Sequence, residues 1–495
     1  MQRPGFTYRP PGDAFDEMYE PAGVPRGSHA EALRALGEHD LAELGERVRL
    51  ATRSRGVVFG AGAAQREFLL DPVPRVFAGE EWAALERGLA QRVRALDAFC
   101  ADAHGERRAI AAGVLPARIV SGAPFLERDL LDARIAQEPW IAIAGLDVVR
   151  NAEGELLVLE DNVRTPSGMA YALAAREIVM GELGLARGEP PRVAEPRAGA
   201  QRRAGAQRRE GGVGEGPIEL GSALRELLRG VLARRPALDD PDGVTVLLSD
   251  GPGNSAFYEH RLLARLLELP LVAPRDLVRR GERLCLRAGG RTVSVLYRRT
   301  DEERLRLPDG SLTPIGELAL EPLRAGRLRV LNGFGTGVAD DKLVYAYVER
   351  MIEFYLGEQP AIGSVATFDL GVEEDREQAL QRLEELVLKP RDGHGGAGVL
   401  IGARAERGEL AQARRAIERH PSRWLAQELV MLSTHPTVID GALAPRHVDL
   451  RPFVFYDGES ARTLPGGLTR VALEEASLLV NSSRRGGGKD TWVLP

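Results

Sequence analysis

Apolar and polar positions alternate with period 2 on both sides of Asn151-Ala152-Glu153-Gly154, within GLDVVRNAEGELLVLEDNVRTPSG from Gly145 to Gly168. Successive side chains of an extended strand point to opposite faces, so this pattern predicts a β-hairpin. With Glu153-Gly154 as a two-residue turn, Asp147 lies directly across from Glu160. Glu160 and Asn162 then share a face, and Asp161 points the other way. Elsewhere the period changes. Residues 29–55 and 80–112 repeat apolar positions at helical spacing, as in EEWAALERGLAQRVRALDAF. Between them, GVVFGAGAAQREFLLDPVPRVF has short apolar runs cut by turn residues and predicts short strands and loops. AYALAAREIVMGEL, after the hairpin, predicts a helix.

From Val244 the order is strand, helix, strand: VTVLLSDG, then AFYEHRLLARLLEL, then two short strands in PLVAPRDLVRRGERLCLR, then VSVLYRR. That order suggests a parallel sheet with ligands near the carboxyl ends of its strands. Asn254, His260, Arg298 and Arg299 fall near such ends. His260, on the helix, reads as structural, whereas the arginine pair is a candidate anchor for a carboxylate or phosphate, which guanidinium groups bind bidentately. Asp340-Asp341-Lys342 opens the helical stretch KLVYAYVERMIEFYLG. In LVLKPRDGHGGAGVLIG a strand ends at Lys389, Gly393, Gly395, Gly396 and Gly398 follow, and a second strand resumes. Glycines let backbone amides approach phosphate oxygens. A P-loop or a Rossmann turn would open a helix; strands on both sides describe a flap over a triphosphate. RWLAQELVM is a strand that puts Gln427 and Glu428 at a nucleotide hinge, and HVDLRPFVFYDG places His447, Asp449, Arg451 and Phe453 on one face. The end of the chain, LPGGLTRVAL and then LLVNSSRRGGGKDTWVLP, places Arg470, Asn481, Ser482, the glycines at 486–488 and Lys489 in a polar, glycine-rich terminus whose flanking apolar runs should tie it into the fold.

Composition narrows the class. A chain of 495 residues with 44% apolar and 28% charged positions suits a soluble globular protein of two or three domains. A net charge of -6 provides no electrostatic footprint for nucleic acid or an anionic membrane. No run reaches the roughly 18 apolar residues of a membrane helix, and the N-terminus lacks a signal-peptide core. Only Cys100 and Cys285 occur, which argues against a disulfide framework or a cysteine zinc site; the expected location is the cytoplasm. AGAQRR is repeated at residues 198–203 and 204–209, which reads as a solvated low-complexity linker.

On the hairpin, Asp147, Glu160 and Asn162 converge as hard oxygen donors of the kind Mg²⁺ takes. Together with Lys342, the Lys389 strand and glycine loop, Gln427-Glu428 and the Arg451 strand, this set resembles the ATP-grasp ligases. In the usual order the acidic Glu-x-Asn hairpin comes last; here it precedes the glycine loop by more than two hundred residues. The chain is therefore similar to the circularly permuted ATP-grasp proteins, of the glutathionylspermidine synthetase type, through GLDVVR, LEDNVRTPSG, NSAFYEHRLLAR, LYRR, ADDKLVYAYV, PRHVDLRPF, PGGLTRVAL and the terminal RRGGGKDTWVL. The likeness runs over roughly residues 120–495, apart from the arginine-rich repeat, which departs from the pattern.

The resemblance implies an α/β (α+β) fold, a circularly permuted ATP-grasp with an additional Rossmann-like α/β pre-ATP-grasp unit. The expected division is a mostly helical segment over 1–120, a metal-binding part over 121–190, a linker over 191–217, the α/β unit over 218–330, and the nucleotide-binding part and C-terminal core over 331–495. It also implies an ATP-dependent ligase joining a carboxylate to an amine through an acyl phosphate, with ATP and Mg²⁺ as cofactors, small-molecule or peptide substrates, and neither nucleic acid nor membrane as partner. Asp147, Glu160 and Asn162 would hold the metal. Lys342 and Lys389 would contact the nucleotide, the amides of 393–398 would close over its phosphates, and Gln427 and Glu428 would line adenine and ribose. Arg164 and Arg451 are the candidates for stabilising the transferring phosphoryl group; Asn254, Arg298, Arg299, Arg470, Asn481 and Lys489 are candidate substrate contacts. A non-catalytic ATP-binding protein and a small-molecule kinase are the alternatives. The acid, the amine and the oligomeric state are left open.

Overall fold

The computed structural model describes residues 7–131, 139–185, 217–391, 398–475, 480 and 486–495. The glycine-loop positions Gly393, Gly395 and Gly396, the terminal Asn481 and the AGAQRR repeat lie outside them. Three larger sheets and a two-stranded hairpin, Val58–Phe59 with Arg66–Glu67, organise the described residues.

The largest sheet has eight strands and gathers segments from the whole chain: Gly363–Ser364, Leu156–Asn162, Ile143–Arg150, Ala442–Tyr456, Ala461–Val471, Gly487–Val493 and Leu70–Phe77 in that order, with Thr434–Ile439 beside Ala442–Tyr456. The hairpin strand Ile143–Arg150 thus pairs with a strand some three hundred residues later, Leu450 facing Val148 and Phe453 facing Gly145. The C-terminal strand runs antiparallel to Ala461–Val471 and parallel to Leu70–Phe77, and all seven of its residues are buried, so the terminus is tied in as its apolar pattern predicts.

Asp147 does lie across from Glu160, but by a different route from a two-residue turn. Arg150 faces Leu156, and Asn151 N donates to Glu155 O at 3.0 Å, leaving a three-residue loop with Gly154 at φ 88°. That loop alone would put Asp147 opposite Leu159. A bulge at Leu159, between the pairs Val148–Val158 and Asp147–Glu160, adds the one residue that restores the acidic pair.

The second sheet has six strands. Its parallel part, Leu271–Val272, Val244–Ser249, Thr292–Arg299 and Arg329–Leu331, is the expected α/β unit. The stretch expected to hold two short strands forms three: Leu271–Val272, Leu277–Arg280 and Arg283–Leu286. The third sheet, Thr367–Asp369, Trp424–Glu428, Leu386–Pro390 and Leu400–Ile401, has its own core around Leu386, Leu388, Ile417 and Ala426. KLVYAYVERMIEFYLG splits into two helices, Lys342–Tyr345 and Val348–Leu356, the first capped by Asp341, whose carboxylate accepts from Leu343 N at 3.0 Å.

Two devices lock the large sheet to the α/β unit. Helix Gly79–His104 places Leu89, Leu96 and Phe99 in one core with Leu146 and Val158 of the hairpin and Val246 and Leu296 of the second sheet. Asn332, just after Arg329–Leu331, is the other. Its amide oxygen accepts from Ala142 N and Ile143 N at 2.9 Å, and its amide nitrogen donates to Ile143 O and Val163 O at 2.6 and 2.7 Å.

Candidate active site

A cleft of about 780 Å³ opens where the three sheets meet. Asp147, Glu160 and Asn162 line it from the hairpin, Arg451 and Arg470 from neighbouring strands of the same sheet, and Lys389, Gln427 and Glu428 from the third sheet. Lys342 and Arg164 line it as well. The period-2 rule decides the hairpin's contribution: Glu160 and Asn162 face the cleft, while the Asp161 carboxylate turns to the opposite face and takes a bidentate pair from buried Arg92 at 2.7 and 2.8 Å.

The acidic and basic groups of the cleft are already interleaved. Arg451 holds Asp147 bidentately at 2.6 and 2.8 Å, and Arg470 bridges Asp147 at 2.9 Å and Asp449 at 2.5 Å. Burial alone would raise the pKa of Asp147; the two guanidinium groups outweigh it and hold the carboxyl at about 2. Lys342 lies 3.2 Å from Glu160, and Lys389 donates to Gln427 Oε1 at 2.5 Å. Desolvation lowers the pKa of Lys389, and Lys342 adds to that against the pull of Glu160 and Asp147. Glu428 is gripped by both arms of Arg382 at 2.9 and 3.0 Å. Arg164 pairs with Asp340 at 2.5 Å and Glu303 at 2.8 Å and stacks over Phe125 at 4.2 Å.

Other candidates are placed elsewhere. Arg299 donates to Glu259 at 2.5 Å and to Pro166 O at 2.6 Å, and Glu259 in turn accepts from Gly168 N and Ala170 N at the start of helix Met169–Glu182. That carboxylate fills the helix terminus that would otherwise attract an anion. Arg298 is buried against the Phe334 ring, its Nε and Nη1 unpartnered among the described residues. Asn254 donates to Asp301 at 2.7 Å beside the cleft, and His260 shares a 2.8 Å hydrogen bond with Ser249, in keeping with a structural role. Lys489 is fully buried, bonded to Asp71 and to Pro436 O. None of Arg298, Arg299, Asn254 and Lys489 lines the cleft. Gly398, the one loop glycine within the described residues, has φ 74°, and a Cβ there would meet Pro390 at 2.9 Å.

Several cleft residues escape a reading by motif. Arg391 clamps the root of the glycine loop to Asp341, its Nε 2.8 Å from Oδ2; its spacing of two from Lys389 was the available signal. Phe59 and Phe68 also line the cleft, although their stretch reads only as short strands and turns. Among the described residues no three of His, Cys, Asp and Glu form a cluster able to hold a metal. The hairpin's donor set is instead two carboxylates and an amide, and the amide nitrogen of Asn162 is buried without a hydrogen-bond partner among the described residues.

The chain matches the family model described as circularly permuted ATP-grasp type 2 over residues 74–187 and 215–472. An uncharacterized protein of Mycobacterium tuberculosis is 39% identical over 489 residues, covering 97% of this chain and 84% of its own. A protein of Frankia casuarinae, provisionally named glutamate–cysteine ligase 2-2, is 41% identical over 98% of this chain, which spans 54% of that longer protein. Among solved structures, a glutathione synthetase-like effector from Globodera pallida superposes with a TM-score of 0.55 at 12% identity, covering 92% of this chain and 98% of the effector, a likeness of fold.

Proposed function

We propose, since this chain belongs to the circularly permuted ATP-grasp type 2 family, that it is an ATP-dependent ligase that joins a carboxylate to an amine through an acyl phosphate. One observation carries the reading: a hairpin at 143–162, a lysine at 342, a strand at 386–390 and two arginine strands at 442–471 each present at least one charged side chain to one cleft. The provisional name of the Frankia relative, glutamate–cysteine ligase, is in keeping with that reaction class.

In this reaction a substrate carboxylate oxygen attacks the γ-phosphorus of ATP, and the bond to the β–γ bridging oxygen breaks to release ADP. The amine nitrogen then attacks the acyl carbon; the carbon–oxygen bond to phosphate breaks, and the nitrogen loses a proton to solvent. Both steps are governed by positioning and by neutralising oxygen charge. Lys342 and Lys389 hold the nucleotide phosphates, and Gln427 and Glu428 orient adenine and ribose, with Arg382 fixing Glu428. Arg451, backed by Arg470, supports negative charge on the transferring group, and Arg164, which also lines the cleft, is the second candidate for that task.

The donor set of Asp147, Glu160 and Asn162 fits Mg²⁺ in chemistry, being hard oxygens on one face. Bound there, Mg²⁺ would supply charge neutralisation to the phosphate oxygens. Asp147 would share its carboxylate between arginine and metal, and Glu160 would exchange Lys342 for it.

The test is ADP and phosphate release measured together across acid–amine pairs. Equimolar ADP and phosphate that depend on both substrates, with an amide product, are the expected result. ADP without phosphate, leaving a stable phosphoester, would make the protein a kinase; nucleotide binding without ADP release under any pair would make it a non-catalytic binder.

A further inference from the structure

Family and cleft leave the substrate unnamed, yet one wall of the cleft comes from residues that precede the family match, which begins at residue 74. We propose that Phe59 and Phe68, with Tyr171, form a side-chain pocket that selects a substrate bearing an apolar, aliphatic or aromatic group; this rests on the ligase reading above.

The wall is continuous with the reacting centre. Arg451, which holds Asp147, also donates to Ser167 O at 3.3 Å, and Gly168 and the helix carrying Tyr171 follow directly. Gly168 has φ 131°, and a Cβ there would meet the Phe453 ring at 3.0 Å and Leu468 at 3.1 Å, so the chain must stay narrow at this point. Beyond it the surface turns aromatic. The Phe68 ring lies 5.1 Å and the Phe59 ring 6.2 Å from that of Tyr171, within the range of aromatic contact.

The wall is also rigid. Phe59 sits in a small hairpin, opposite Arg66, whose guanidinium stacks over its ring at 5.4 Å. Tyr171 donates to Val58 O at 2.9 Å, and Gly60 N donates to Ser255 O at 3.1 Å, fastening the hairpin to the helix and to the α/β unit. Gly60 itself has φ 89°, and a Cβ would fall 2.5 Å from Ala64 O. Phe68 is buried beneath, whereas Phe59 keeps part of its surface at the cleft.

Phosphates gain nothing from aromatic faces, and the nucleotide's proposed contacts, Lys342, Lys389, Gln427 and Glu428, belong to other elements. What gains from a fixed, partly exposed ring in a cleft is an apolar group that sheds water against it.

Amino acids are suitable probes because each offers both reacting groups. The full-length protein would be given MgATP with leucine, phenylalanine, serine or glutamate, and both thermal stabilisation and ADP release recorded. Leucine or phenylalanine should raise the melting temperature and stimulate ADP release more than serine or glutamate. Phe59→Ser should raise the KM for the preferred amino acid about tenfold or more, with nucleotide affinity unchanged, and Phe59→Leu should restore most of it. Stabilisation by apolar amino acids without ADP release would keep the pocket and overturn the ligase reading. Equal responses to polar and apolar probes, no response to any, or a Phe59→Ser variant with unchanged selectivity would overturn the pocket.

Discussion

At the scale of the residue, neighbours in sequence do opposite jobs because a strand turns successive side chains to opposite faces. Glu160 stands in the cleft beside Lys342, and Asp161 is sealed against Arg92 with both side chains buried. Asp161→Asn leaves Arg92 charged and incompletely paired, and should cost about 3 kcal/mol of stability, read as a lowered midpoint in urea. Glu160→Gln should leave that midpoint in place and abolish MgATP turnover; near-normal turnover at saturating Mg²⁺ would remove Glu160 from the site. Glu127 supplies a pH test. It is buried, accepts from Leu305 N at 2.9 Å, and burial pushes its pKa up to about 7 from an ordinary 4.5. A carboxyl whose folded pKa is raised stabilises fully below its unfolded pKa and loses that contribution as pH climbs through the folded value. Stability should therefore decline between about pH 4.5 and 7 by up to about 3 kcal/mol from this group. Glu127→Gln keeps the acceptor and removes the ionisation, so the variant should match the parent near pH 4 and exceed it at pH 8 in urea denaturation.

At the scale of the element, local pattern led to the hairpin, its faces and the acidic pair, but not to the means. A three-residue loop and a bulge at Leu159 offset one another, and neither leaves a mark in an alternation that tolerates one extra residue. The single helix read over 342–357 breaks in two, which apolar spacing does not reveal because both pieces bury residues on the same core. Asn332 had no signal either; it is one polar residue between a strand and a turn, and its worth lies in four hydrogen bonds to residues 142, 143 and 163. Asn332→Ala would strand those buried groups and should cost at least about 3 kcal/mol, and nucleotide affinity should fall with it as the two sheets loosen. A variant with unchanged urea midpoint would show that the other contacts between them, the helix Gly79–His104 and the core of Leu247, Val295 and Phe453 among them, suffice to couple the two sheets.

At the scale of the molecule, the last strand, Gly487–Val493, lies between Ala461–Val471 and Leu70–Phe77 and joins the two ends of the chain in one sheet. The family match, in contrast, skips residues 188–214, which contain the AGAQRR repeat. Deleting residues 198–209 should leave the melting temperature unchanged and ADP release within about twofold of the parent. A large loss of either would assign the repeat a place in the fold or the cleft.

The sequence by itself determined what depends on backbone direction and chain order. Alternation separated Glu160 and Asn162 from Asp161, and the position of the acidic hairpin before the glycine loop marked the permuted order of an ATP-grasp. Tertiary structure alone decided which charges meet. Arg299, Arg298 and Lys489 look like substrate anchors as isolated cations, yet Glu259, Phe334 and Asp71 take them into the interior. Arg451 and Arg470 reach Asp147 instead, and two phenylalanines from the first seventy residues reach the cleft. The face on which a side chain stands follows from a few local dihedral angles. Its partner is set by which distant strand becomes its neighbour, and burial makes that choice binding, because a charge withdrawn from water costs stability unless a counter-charge, a hydrogen bond or an aromatic face meets it there.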